Sequence, residues 1–170
     1  MGRACYNFGM AKMYLMHGLS GAGKTEFAKR FARENNLRYL SIEDFYAAFF
    51  GSELIHQNEE EVWAAFEIAI RVAEKEHVDI IVDTNSPRRV DRDWFFEKFP
   101  TYSINLIIID TPVELCLKNN RERERKIPEE EMQKMITELE PVTEDELGRY
   151  ESVVVYKNTD NHLDAGTRLA

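Results

Sequence analysis

The chain has 170 residues, 44% hydrophobic and 31% charged: the composition of one globular domain with room for a substantial core. Its net charge of −9 and pI near 5.0 exclude broad, nonspecific nucleic-acid binding but not a local basic groove. Cys5 and Cys116 have neither metal nor redox spacing and no apolar run reaches membrane length, so a reducing, cytoplasmic compartment without a membrane partner is expected.

Residues 1–11 read as a flexible leader. They lack the apolar centre of a signal peptide, and Tyr6 stands where a myristoylation start carries Ser or Thr. The domain proper is expected over 12–163, with a frayed tail over 164–170. Met13, Tyr14, Leu15 and Met16 form an apolar run that reads as a buried strand. Gly18-Leu19-Ser20-Gly21-Ala22-Gly23-Lys24-Thr25 follows and fits G-x-x-x-x-G-K-[ST], the phosphate-binding P-loop. Its glycines let backbone N–H groups turn toward an anion, and a helix starting near Lys24 adds its positive end. In this motif Lys24 reaches the β- and γ-phosphates and the Thr25 hydroxyl ligates magnesium.

Residues 37–42 read as the second strand, ending in Glu43-Asp44-Phe45-Tyr46. Glu43 and Asp44 are candidates for a general base. Successive strand residues point to opposite faces, so one of the two is expected to face the site. Residues 51–58 read as loop. Asn58-Glu59-Glu60-Glu61 is a capping-box start for a helix to about His77. Ile80-Ile81-Val82 is a buried strand delivering Asp83-Thr84-Asn85. Asp83 there could hold magnesium directly, through water, or orient Thr25. Ser86 is expected to cap a helix with Pro87 in its first position and Val90, Trp94, Phe95 and Phe99 on its core stripe. Arg88, Arg89 and Arg92 could meet an anionic acceptor.

Residues 106–109 form the fourth strand. Thr111-Pro112-Val113-Glu114 reads as another capping box, opening a helix through about Asn120. The run Arg121-Glu122-Arg123-Glu124-Arg125-Lys126 follows. At least one of its arginines is expected to close over a polyphosphate, the alternative being a solvated face. Pro128 starts a helix with Met132, Met135, Ile136 and Leu139 apolar. A short capped helix spans 143–147, and Val153-Val154-Val155 is the fifth strand. Strands alternating with helices predict an α/β fold: a five-stranded parallel sheet covered on both faces, with ligands beyond the carboxyl ends of its strands.

Over residues 13–158 the chain resembles the P-loop kinases of the polynucleotide 5′-hydroxyl kinase type. The resemblance rests on GLSGAGKT, on the acid pair after the second strand, on VDTNSPRR and on DTPVELCLKNNRERERKIP. It implies ATP and Mg2+ as cofactors and a hydroxyl acceptor of nucleic-acid or nucleotide type, with no obligate protein partner. It makes Asp83 the acid of an Asp-Thr-Asn motif and Arg123, three residues after Asn120, the arginine of a small lid. It puts Asn158 in an adenine-contacting loop, and Thr84, Asn85, Arg88 and Arg89 near the acceptor. Alignment sets Glu43 where the family carries an aspartate base. Tyr46 stands where the end-healing enzymes carry an arginine for the acceptor's phosphate, and it offers a ring to stack on a base. Uridine-kinase-like enzymes have a similar D-x-F-Y segment. The implied acceptors are therefore a 5′-hydroxyl end, a hydroxymethylated base in DNA as for some phage relatives acting in the host cytoplasm, or a nucleoside or small metabolite. An NTP-bound switch or ATPase is the reading outside this class.

Overall fold

The computed structural model describes residues 10–52 and 58–170; most of the expected leader, with Cys5 and Tyr6, and residues 53–57 of the expected loop lie outside them. Five parallel strands form the sheet: β1 (Lys12–His17), β2 (Arg38–Ser41), β3 (Ile80–Asp83), β4 (Ser103–Asp110) and β5 (Ser152–Thr159). Their order is β2-β3-β1-β4-β5, so β1 is central and β3 and β4 flank it in parallel register. Two short strands, β6 (His162–Leu163) and β7 (Thr167–Arg168), extend the β5 side antiparallel. The residues expected to fray after Leu163 therefore pair with β5. The Leu169 amide donates to the Val153 carbonyl and the Val153 amide to that of Ala170.

Burial follows the period of two. Met13, Leu15, Ile80, Val82 and Leu106 enter one core with Phe66, Ile70, Phe95 and Phe99. Met16, Ile81, Ile107 and Ile109 enter the other with Phe27, Ala28, Ala32 and Cys116. The first core is covered by α2 (Ile42–Phe50), α3 (Glu59–Lys75), α4 (Arg89–Lys98) and α7 (Glu144–Leu147). The second is covered by α1 (Lys24–Asn35), α5 (Val113–Glu122) and α6 (Glu129–Glu138). Each large apolar side chain so buried contributes roughly 1.5–3 kcal/mol. Among the described residues no helix is long and apolar enough to cross a membrane.

Several local expectations are corrected. Asn58 does precede α3, but in the left-handed region (φ 50°) and with no side-chain capping bond. Ser86 caps nothing; α4 begins at Arg89, and the Asp91 carboxylate accepts from the Arg88 backbone N–H at 3.0 Å. Val90 is 62% exposed, while the unexpected Arg92 on the same helix is buried. Thr111 does not cap α5, because its hydroxyl is committed to the P-loop.

Candidate active site

The carboxyl ends of β1, β2, β3 and β4 bring the chemistry together. After β1 the chain turns into α1 through the P-loop. At Gly18 (φ 140°) an added Cβ would lie 2.6 Å from the Ile109 carbonyl oxygen. At Gly21 (φ 84°) it would lie 2.5 Å from that of Cys116. Side chains are excluded at both positions by conformation and by space.

The loop is braced from outside. The Ala22 carbonyl accepts from the Thr111 hydroxyl and from the Asn158 amide nitrogen, each at 3.0 Å. The Gly21 carbonyl accepts from Asn119 Nδ2 at 2.9 Å. In a trans peptide the N–H points opposite the C=O, so holding the Ala22 carbonyl outward turns the Gly23 N–H inward. Asn158 thus serves as a support beneath the loop, with its Oδ1 buried and without a hydrogen-bond partner. No local signal in the sequence marks Asn119 or Thr111 as a loop support.

Lys24 is buried at the start of α1, where its Nζ donates to the Gly18 and Leu19 carbonyls at 2.9 and 3.2 Å. Burial pushes its ammonium below the usual lysine range, while the charges of Asp83 and Glu43 work to restore it. Asp83, buried at the end of β3, accepts from the Tyr39 hydroxyl at 2.9 Å.

Glu43 and Asp44 lie on the first turn of α2 and not at a strand end, so helical geometry separates them. Glu43 turns inward and accepts from Ser41 Oγ at 3.0 Å; Asp44 is exposed. Burial, then the nearby Asp83 charge, raises the Glu43 carboxyl above the usual range. Tyr46, expected to present a ring to an acceptor, is instead 2% exposed in the core beside Phe50.

The arginine run does not continue the helix. α5 ends at Glu122, and Arg123 takes extended backbone as its C-cap. Asn120 clasps the turn, its side chain bonding both the N–H and the carbonyl of Ile127 at 2.9 and 2.8 Å. Arg123 points inward, close enough to Glu43 and Lys24 for their charges to interact. Its Nε and Nη2 are buried without a hydrogen-bond partner. Burial lowers its proton affinity and the Glu43 charge opposes this. Arg121 is exposed and lies 4.0 Å from Glu129.

The residues after Asp83 are held by neighbours. The Thr84 hydroxyl is buried 2.7 Å from Ser86 Oγ. Arg88 closes on Asp91 at 2.7 Å and Arg89 on Asp145 at 2.7 Å. Arg92 is spent on Glu146 at 3.0 Å, both side chains fully buried. The three arginines therefore present compensated charge, not a free basic patch.

Among the described residues no cluster of three or more His, Cys, Asp or Glu could hold a metal by itself. A magnesium ion carried in by a nucleotide needs only one or two protein ligands beside phosphate oxygens. Asp83 and the Thr25 hydroxyl are oxygen donors of the kind such an ion takes, and the buried, unpartnered Nε and Nη2 of Arg123 fit an added polyanion.

A P-loop at the edge of a parallel sheet, faced by an acid and an inward arginine, defines a P-loop kinase-like protein. The AAA domain family (AAA_33) matches residues 13–142, and the chain belongs to it. No curated protein matches the chain. A sugar kinase from Janibacter sp. HTCC2649 superposes with a TM-score of 0.63 at 22% identity, over 86% of this chain and 85% of that one. A chain of the Pnkp1/Rnl/Hen1 RNA repair complex superposes at 0.68 with 27% identity, over 76% of this chain and 44% of that one. A gluconokinase from Sinorhizobium meliloti 1021 does so at 0.58 and 17% identity, over 87% and 83%. All three share this chain's fold; two are named as kinases, of a sugar and of gluconate, and the third is part of an RNA repair complex.

Proposed function

We propose that the chain transfers the γ-phosphoryl group of ATP to a hydroxyl of a nucleoside-bearing acceptor, either a free nucleoside or nucleotide or a unit of a nucleic acid. The convergence of Glu43 on Lys24 and Asp83, beneath the inward Arg123, carries this reading. Lys24 and the inward loop amides hold the β- and γ-phosphates. Thr25 and Asp83 would hold Mg2+, which would supply positive charge to the phosphates. Glu43 accepts the proton of the acceptor hydroxyl as its oxygen bonds to the γ-phosphorus and the bond to the ADP oxygen breaks. Its raised proton affinity makes it a better base once ionised. Arg123 gains partners as charge spreads over the transferred group.

Two observations favour an acceptor recognised through its base over one gripped by a terminal phosphate. Tyr46 leaves no charge after Glu43, and Arg88 and Arg89 are already neutralised by carboxylates.

The test follows labelled γ-phosphate with 5′-hydroxyl DNA and RNA, hydroxymethyl-base DNA, nucleosides and small metabolites as acceptors. Label should enter a nucleoside-bearing acceptor, and Lys24→Ala should abolish the transfer. Glu43→Gln should lower it roughly a hundredfold or more while ATP still binds, and Asp44→Asn should not. Arg123→Ala should lose as much at saturating ATP, Arg121→Ala little. Release of label only to water would favour an ATPase and end the proposal.

A further inference from the structure

A cleft of about 470 Å³ opens beside the catalytic edge, lined by Trp63, Asn85, Arg88, Asp91, Trp94 and Glu138 together with Pro87 and Val90. Its walls come from α3, the β3–α4 segment, α4 and the last turn of α6. Asn85 stands two residues beyond Asp83, a chain distance of at most ~7 Å. The size suits a small-molecule ligand.

The lining has two characters. Trp63 and Trp94 meet edge to face at 5.5 Å, and Pro87 and Val90 add apolar surface. Both indoles are only partly buried, although most aromatic side chains around them are buried. The polar groups are mainly acceptors. Arg88 is bound to Asp91 through both Nε and Nη2, at 3.1 and 2.7 Å, which occupies both Asp91 oxygens as well and leaves Glu138 and the Asn85 amide to read a ligand. One arginine against two carboxylates repels an anion. A flat ring with amino or hydroxyl donors meets both requirements: it stacks on indole and donates to carboxylate and amide oxygens.

We infer that this cleft is the acceptor's recognition site, and that it takes an uncharged nucleoside unit by stacking its base on the Trp63–Trp94 pair with Asn85 and Glu138 at its edge. The inference rests on the phosphotransferase reading for the word acceptor; the cleft's preference for a base over a phosphate does not.

The chain has two tryptophans, and both line the cleft, so its intrinsic emission reports on this site. Emission is measured while adding nucleosides, 5′-hydroxyl dinucleotides, ribose, glucose or inorganic phosphate, with and without ADP. Nucleosides or dinucleotides should give a saturable change, and ribose, glucose and phosphate none. Comparing the first two tells whether the unit is free or part of a strand. In the transfer reaction Trp63→Ala should raise the acceptor KM roughly tenfold or more with the KM for ATP little changed. Glu138→Gln, on a half-exposed side chain, should raise it in the same direction and guards against a misfolded Trp63→Ala. Saturable changes from glucose or phosphate with nucleosides silent would overturn the inference. So would an unaltered acceptor KM in both variants, or transfer to nucleosides with emission unmoved; in that last case the kinase reading survives. Nucleosides or dinucleotides that bind while no nucleoside-bearing acceptor, free or within a strand, ever receives phosphate would instead sink the kinase reading and leave the cleft as a nucleoside site.

Discussion

His17 ends the central strand and is 5% exposed, with Nδ1 at 3.3 Å from the Ser86 carbonyl. Burial, helped by the Arg92 charge, brings its pKa from 6.5 down to about 4. The folded chain therefore holds a neutral imidazole where the unfolded chain would take a proton. The stability this confers is complete above 6.5 and drains as pH falls toward 4, by ~1.4 kcal/mol per pH unit for one proton. Urea unfolding followed between those limits should show this slope, and His17→Gln should flatten it. Glu43 runs the other way, because its raised carboxyl favours the fold at low pH and less as pH rises through that value. A site residue thus costs stability where it is needed ionised.

At the scale of elements, the Arg92–Glu146 pair ties α4 to α7. The guanidinium also donates from Nη1 to the Pro87 and Glu140 carbonyls, at 3.0 and 3.3 Å. The Glu140 amide in turn donates to the Pro87 carbonyl at 2.9 Å. One buried cation therefore fixes the segment after Asp83 against the end of α6, the helix that follows Arg123. Arg92→Ala leaves Glu146 buried without its partner and should cost about 3–5 kcal/mol in a denaturation midpoint measurement. Replacing both, Arg92→Met with Glu146→Leu, should recover most of it. By contrast the exposed Arg121–Glu129 pair should contribute little to stability.

Across the whole molecule, the sheet's β5 side is closed by short antiparallel strands. Gly166 (φ 77°) passes so near Tyr156 that a Cβ would lie 2.6 Å from its ring. The Tyr156 ring in turn lies 4.6 Å from that of Phe27 on α1. β7 thereby shields the strand that carries Asn158 to the P-loop. Removing residues 166–170 should strip its backbone bonds from β5 and lower the unfolding free energy by roughly 1–3 kcal/mol. Transfer by the folded remainder should persist, because none of the proposed catalytic groups lies there.

The sequence by itself determined the P-loop, the alternating strands and helices, and the acid at the end of β3. Each is written in local spacing: glycines where carbonyls crowd the turn, apolar residues at periods of two or near four, a polar residue where a strand stops. Tertiary structure alone decided the rest. Whether Glu43 or Asp44 faces inward depended on α2 starting at Ile42, immediately after β2. Which arginine points inward depended on α5 stopping at Glu122, with Asn120 binding Ile127 across the turn. Tyr46 went to the core because α2 lies against α3, and Arg92 was spent on Glu146, 54 residues away. Such partners leave no trace in any short window, because burial and charge pairing are properties of the assembled chain.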